Sequence, residues 1–145
     1  MQHRYLILNG VNLACIGTRE VNIYGSLTFD AFLDDLRQQY PELQLDYHCT
    51  DDEGALAAFI TSAVSYDGIV LNAGAYTHSS VILADAVRAV SVPVVEVHIS
   101  NLFGREHYRR ESVLSGCCRG FISGFGLDSY RLAIEALLKI NYVKC

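Results

Sequence analysis

The chain alternates short apolar runs with segments whose apolar residues recur every three or four positions. Tyr5-Leu6-Ile7-Leu8 is the first run and predicts a strand. A glycine-containing loop follows, from Asn9 to about Leu27. Thr28 then stands where an N-cap belongs, and Phe29, Phe32, Leu33 and Leu36 fall on one face of a helix that Pro41 ends. Gln44 to His48 predicts a second strand, and Leu56, Phe59, Ile60, Ala63 and Val64 mark a second helix. Gly68-Ile69-Val70-Leu71 is apolar throughout, as a strand buried on both faces should be. Ser79 or Ser80 caps a third helix reaching about Val90, and Pro93 introduces a fourth strand, Val94 to His98. Gly120 to Ser123 predicts a fifth strand. Asp128 or Ser129 opens a last helix with Tyr130, Ile134, Leu137 and Leu138 on one side.

Strands alternating with helices predict an α/β class with a parallel sheet covered on both faces. Right-handed crossovers make such a sheet doubly wound. Five strands suit the flavodoxin-like order 2-1-3-4-5. No linker, repeat or low-complexity segment interrupts the pattern, so residues 1–145 are expected to form a single domain. Ligands of these sheets bind beyond the carboxyl ends of the strands, at the switch point in their order. Here that places a site among the loops after the first, third and fourth strands.

Composition mainly excludes. Hydrophobic residues make up 51% of the 145, which suits a globular core. No apolar run approaches the length of a membrane span, and the N-terminal residues lack the features of a signal peptide, so the expectation is a cytoplasmic protein with no membrane partner. The net charge of −5 argues against nucleic acid, which needs a basic face. It leaves room for a small anion held by a local cluster such as Arg105, Arg109 and Arg110. The five cysteines (Cys15, Cys49, Cys117, Cys118, Cys145) are odd in number and show no C-x-x-C spacing, so neither a disulfide framework nor a zinc site is expected.

The polar residues gather in the three predicted loops. Asn9, Asn12, Arg19 and Tyr24 follow the first strand, and Asn72, Thr77 and His78 the third. Glu96, His98, Ser100 and Asn101 end the fourth, with Arg105 and Arg109 beyond. Glu96 and His98 are two apart on a strand and so share a face. A carboxylate beside an imidazole fixes its tautomer and favours its charged form, which suits a general acid. A guanidinium beside a phenol favours the phenolate, so Arg19 could make Tyr24 a base. The backbone of Asn72 to Ser80, at a helix start, suits an anion or a hydroxyl. On local grounds each residue has a plainer reading: His98 satisfied by a backbone partner, Tyr24 a surface tyrosine before Gly25, Asn72 to Ser80 a tight turn, Asp85 a solvated helix residue. Phosphate-loop, dinucleotide, nucleophile-elbow and H-E-x-x-H motifs are all missing. What survives is acid–base chemistry on a polar small molecule, with no metal and no cofactor.

Four stretches carry a resemblance: Leu8 to Leu13, Arg19-Glu20 with Tyr24-Gly25, Leu71 to Ser80, and Val95 to Asn101 continuing to Arg105-Glu106 and Arg109. On these, over essentially its whole length, the chain resembles type II 3-dehydroquinate dehydratase. The resemblance implies trans elimination of water from 3-dehydroquinate to give 3-dehydroshikimate, a step of the shikimate pathway. It makes Tyr24 the base, Arg19 the group that keeps it a tyrosinate, and Asn12 a stabiliser of the enolate. His98, oriented by Glu96, becomes the acid. Asn72, His78 and Arg109 match positions that bind substrate hydroxyls, and the backbone at Ile99 and Ser100 matches a carboxylate site. Asp85 matches a residue given by a neighbouring subunit, and Arg105 a lid arginine. The assembly implied is a homo-oligomer, a dodecamer built from trimers.

The chain departs from the family's pattern at Val11 and Val21, where proline is usual, and at Thr50-Asp51, which replaces a common Ser-Asn pair. Loss of two prolines predicts a looser loop from Asn9 to Tyr24 and weaker apparent substrate affinity, with chemistry intact. Cys15 in that loop has no assigned role. Two other readings stay open: a paralogue acting on another hydroxylated cyclic acid, and a non-catalytic flavodoxin-like binding module. Against the second, a receiver domain needs clustered acids after the first strand, and a flavin carrier a hydroxyl-rich phosphate loop. This chain has Asn9-Gly10-Val11-Asn12 there.

Overall fold

The computed structural model describes residues 2–11, 13 and 27–143, without the side chains of 142 and 143. Five strands, β1 (Arg4–Asn9), β2 (Gln44–Cys49), β3 (Gly68–Asn72), β4 (Val94–His98) and β5 (Gly120–Ser123), form one parallel sheet in the order β2-β1-β3-β4-β5. This is the expected flavodoxin-like winding. The α-helices among the described residues are α1 (Phe29–Gln39), α2 (Glu53–Thr61), α3 (Val81–Ala89) and α4 (Asp128–Val143).

Alternation along each strand divides the core in two. Tyr5, Ile7, Val70, Val95 and Val97 face Phe29, Leu33 and Leu36 of α1 and Tyr130, Ile134 and Leu137 of α4. Leu6, Leu8, Ile69, Leu71 and Val94 face Leu56 and Ile60 of α2 and Leu83, Ala84 and Val87 of α3. Strands of a parallel sheet are buried on both sides, which is why their sequences read as unbroken apolar runs. Glu96 and His98 project to the α2–α3 side by the same alternation, and Asn9 and Asn72 to the α1–α4 side.

Side chains cap the helix starts as their types predict. Thr28 Oγ1 accepts from Ala31 N, Asp52 Oδ1 from Ala55 N, and Ser80 Oγ from Leu83 N. Ser80, not Ser79, is therefore the cap of α3. The apolar face expected to run through Val64 stops earlier. Ser62 turns its hydroxyl and its N–H back onto the Ala58 carbonyl, α2 ends at Thr61, and Val64 is 75% exposed while Ala63 fills the core. Between β4 and β5 lie three one-turn helices, 102–104, 107–110 and 115–117, which the periodicity of the sequence does not announce. Among the described residues no helix is long and apolar enough to cross a membrane.

The loops after β1 and β3 interlock through two glycines. A Cβ on Gly10 would lie 2.5 Å from the Ala73 carbonyl oxygen. One on Gly74, whose φ is +61°, would lie 2.5 Å from that of Val11. Gly10 N also donates to Asn72 O at 2.7 Å. The two loops meet backbone to backbone, and only glycine leaves room for that approach.

Candidate active site

The carboxyl ends of β1, β3 and β4 lie side by side, so their loops share one rim. On β4 the expected pair is formed. His98 Nε2 lies 2.5 Å from Glu96 Oε2, with the histidine 5% exposed and the glutamate fully buried. A buried carboxylate is costly unless hydrogen-bonded. Its other oxygen, Oε1, accepts from Ser112 Oγ at 2.9 Å and Ser115 Oγ at 3.0 Å. These two serines are functional candidates that the sequence reading did not single out. The spacing S-x-x-S marks a turn, but nothing local shows that the turn folds back onto a strand ending many residues earlier. The thiol of Cys118 is pushed up to about 12, first by burial and then by the charge of Glu96.

Beyond His98 the chain offers Ile99, buried, and Ser100, half-buried. Ser123 Oγ donates to the Ser100 carbonyl and accepts from Leu102 N, which fixes this bend against β5. Arg105 Nη1 donates to Ser100 Oγ at 3.1 Å, so a guanidinium stands over the bend. Glu106 lies between two arginines, 3.0 Å from Arg109 Nε and 3.8 Å from Arg105 Nε. Its own backbone N–H, and then the charges of Arg109 and Arg105, hold its carboxyl below the usual range. The arginine cluster is therefore braced by one acid and keeps a net positive charge beside Ser100.

The loop after β3 is anchored at both ends. Asn72, 3% exposed, donates through Nδ2 to Tyr130 Oη at 2.9 Å and accepts from Gly74 N through Oδ1. Tyr130 Oη donates to Asn9 Oδ1 at 2.6 Å, and Asn9 Nδ2 donates to Tyr47 Oη. This buried chain joins β1, β2, β3 and α4 beneath the rim. Burial holds the phenol of Tyr130 far above its ordinary value, so it stays a neutral donor. Further along, His78 Nδ1 meets the Glu111 carbonyl at 2.6 Å and Val113 N donates to Thr77 O, which tie the 72–80 loop to the arginine segment.

Of the residues expected at the site, Asn72, His78, Glu96, His98, Ile99, Ser100, Arg105 and Arg109 lie on these joined elements. Asp85 does not. It sits on the outer face of α3, exposed, 3.5 Å from Arg88, beside exposed Val81 and Ile82. Asn12, Arg19 and Tyr24, with Cys15 and Val21, lie outside the described residues. No cluster of three or more metal-binding side chains occurs among the described residues.

The family described as Dehydroquinase class II matches residues 3–138. A 3-dehydroquinate dehydratase of Pelodictyon phaeoclathratiforme is 48% identical over 136 residues, covering 92% of this chain and 90% of that protein. One from an Exiguobacterium species is 45% identical, with 94% of each covered. The crystal structure of a type II dehydroquinase from Butyrivibrio crossotus superposes with a TM-score of 0.90 at 38% identity, covering 94% of this chain and 97% of that one.

Proposed function

This chain belongs to the class II dehydroquinase family and is a hydro-lyase, a 3-dehydroquinate dehydratase of the shikimate pathway, and from that premise we propose how its residues divide the reaction. Tyr24, kept as a phenolate by Arg19, removes the C2 proton alpha to the ketone. The electrons move onto the ketone oxygen to give an enolate, which Asn12 stabilises through a water. The enolate then re-forms the ketone and expels the C1 hydroxyl, which takes a proton from His98 and leaves as water. The product is a conjugated enone. Base and acid come from different loops, as removal and delivery on opposite faces of a ring require.

The observation that carries this reading is the buried Glu96–His98 pair at the end of β4. With Nε2 turned to Glu96, Nδ1 is the nitrogen that reaches the substrate, and both ring nitrogens are donors in the cation. The carboxylate of the substrate is placed at the Ile99–Ser100 backbone, under Arg105. Asn72 has one Nδ2 hydrogen committed to Tyr130, so its second hydrogen is the one offered to a substrate hydroxyl. His78 and Arg109 complete the hydroxyl contacts.

The same reading makes the whole chain one catalytic domain and Asp85 a donation to a neighbouring subunit. Its exposure beside Val81 and Ile82 on α3 supports a trimer, and the proposed assembly is a dodecamer of trimers. Cys117 and Cys118 are thiols, which suits a reducing cytoplasm.

Ultraviolet absorbance after mixing with 3-dehydroquinate tests the chemistry. The enone band should rise with the wild-type chain and fail to rise with Tyr24→Phe and His98→Ala. A rise that survives in either variant removes that residue from the assigned role.

A further inference from the structure

Glu96 has its whole side chain inside the protein, and its register neighbours, Leu71 on β3 and Phe121 on β5, bring nothing polar to it. Among the described residues, the titratable groups placed against it are His98 and the neutral thiol of Cys118. The hydroxyls that meet the carboxylate come from Ser112 and Ser115, one on each side of the step into the last one-turn helix before β5.

The direction of these bonds is fixed by counting. Ser112 Oγ accepts from Leu114 N and from Ser115 N, both at 3.1 Å. A hydroxyl has two acceptor sites and one proton, so that proton is left for Glu96 Oε1. Ser115 Oγ approaches the same oxygen, so Oε1 faces two O–H groups. A proton on Oε1 would displace one of them, so Oε1 is committed as an acceptor and Oε2 is the oxygen left to face His98.

We propose that Ser112 and Ser115 are positioning residues for the elimination, fixing the Glu96 carboxyl so that its other oxygen is aimed at His98. The proposal rests on the assignment of Glu96 and His98 as the acid pair. By it the serines orient the ring without touching substrate, and the efficiency of the proton donor depends on the segment that also carries Arg105 and Arg109. Loss of an outer partner of a metal-bound histidine changes affinity or activity about 10- to 100-fold, and a loss at the lower end of that range is expected for this metal-free pair.

Ser115→Ala is the sharper test, because Ser112 also anchors the backbone of its turn. In the ultraviolet assay kcat should fall roughly 10-fold while KM stays within about twofold, the signature of an interaction lost only in the transition state. Ser115→Thr keeps the hydroxyl and should restore most of kcat. Ser115→Cys, close in volume but a weak donor, should behave like alanine and stands in if the alanine variant does not fold. Glu96→Gln should lower kcat further, and adding Ser115→Ala to it should cost nothing more, because the two act through one carboxylate. Unchanged kcat in Ser115→Ala, with Glu96→Gln inactive, overturns the role of the serines and leaves the acid pair standing. Full activity in Glu96→Gln overturns the acid pair and the proposal with it. A loss that threonine does not rescue, or that adds to Glu96→Gln in full, assigns Ser115 a merely structural part and also overturns it.

Discussion

Tyr130→Phe removes one oxygen from the centre of the molecule and nothing else. That oxygen donates to Asn9 Oδ1 and accepts from Asn72 Nδ2, with all three residues buried. The atoms left behind, Asn9 Oδ1 and Asn72 Nδ2, both lose their partner in this network, because the bond to Tyr47 runs from Asn9 Nδ2 and the bond from Gly74 ends on Asn72 Oδ1. A buried polar atom stripped of its partner costs about 1–3 kcal/mol. The sum is about 2–6 kcal/mol, or a fall in thermal midpoint of roughly 6–20 °C for a chain of this size. Urea unfolding at equal protein concentration gives the number, with Tyr40→Phe as reference. The Tyr40 hydroxyl meets Glu135 at the surface and its loss should cost under about 1 kcal/mol. A Tyr130→Phe chain within about 0.5 kcal/mol of wild type, at an unchanged denaturant slope, would refute the claim that this network is satisfied and worth its burial.

Gly74→Ala should destabilise by roughly 1–3 kcal/mol in the same measurement, because φ +61° is strained for alanine and its Cβ would meet the Val11 carbonyl at 2.5 Å. Cys118, with its thiol near 12, should resist iodoacetamide at pH 8 in the folded chain and react once denatured, as peptide mass mapping would show. Labelling of the folded chain at the rate of an ordinary thiol would contradict the burial of this group beside Glu96. Restoring proline at positions 11 and 21 should lower KM and leave kcat unchanged, since stiffening a loop acts on ordering and not on the acid. A changed kcat in steady-state kinetics would count against that separation.

Legibility varied along the chain for physical reasons. β4 and β5 have the bounds expected, because an apolar run opened by Pro93 or Gly120 has few other ways to fold. The Glu96–His98 contact was legible too, since a spacing of two on a strand leaves side chains little choice of face. Val64 misled because helical periodicity carries no stop signal, and the stop came from the Ser62 hydroxyl. The stretch from 101 to 118 was opaque. Its one-turn helices are too short for any period, and its purpose lies in contacts with a strand far back in sequence. Ser112 and Ser115 were lost for that reason, and Tyr130 because a tyrosine on an apolar helix face looks like core until its hydroxyl is traced to Asn9 and Asn72. Asp85 reads as solvated in sequence and stands exposed on α3, 3.5 Å from Arg88.

The enclosure of Glu96 and His98 has a kinetic side. On the proposed assignment, each turnover spends one proton from the ring, and the ring must recover it before the next. The glutamate is fully buried and the histidine 5% exposed, so only a small part of the ring can meet water. On the proposed assignment the departing hydroxyl has to meet that same part, and water that recharges the ring then competes with the ligand for one small area of contact.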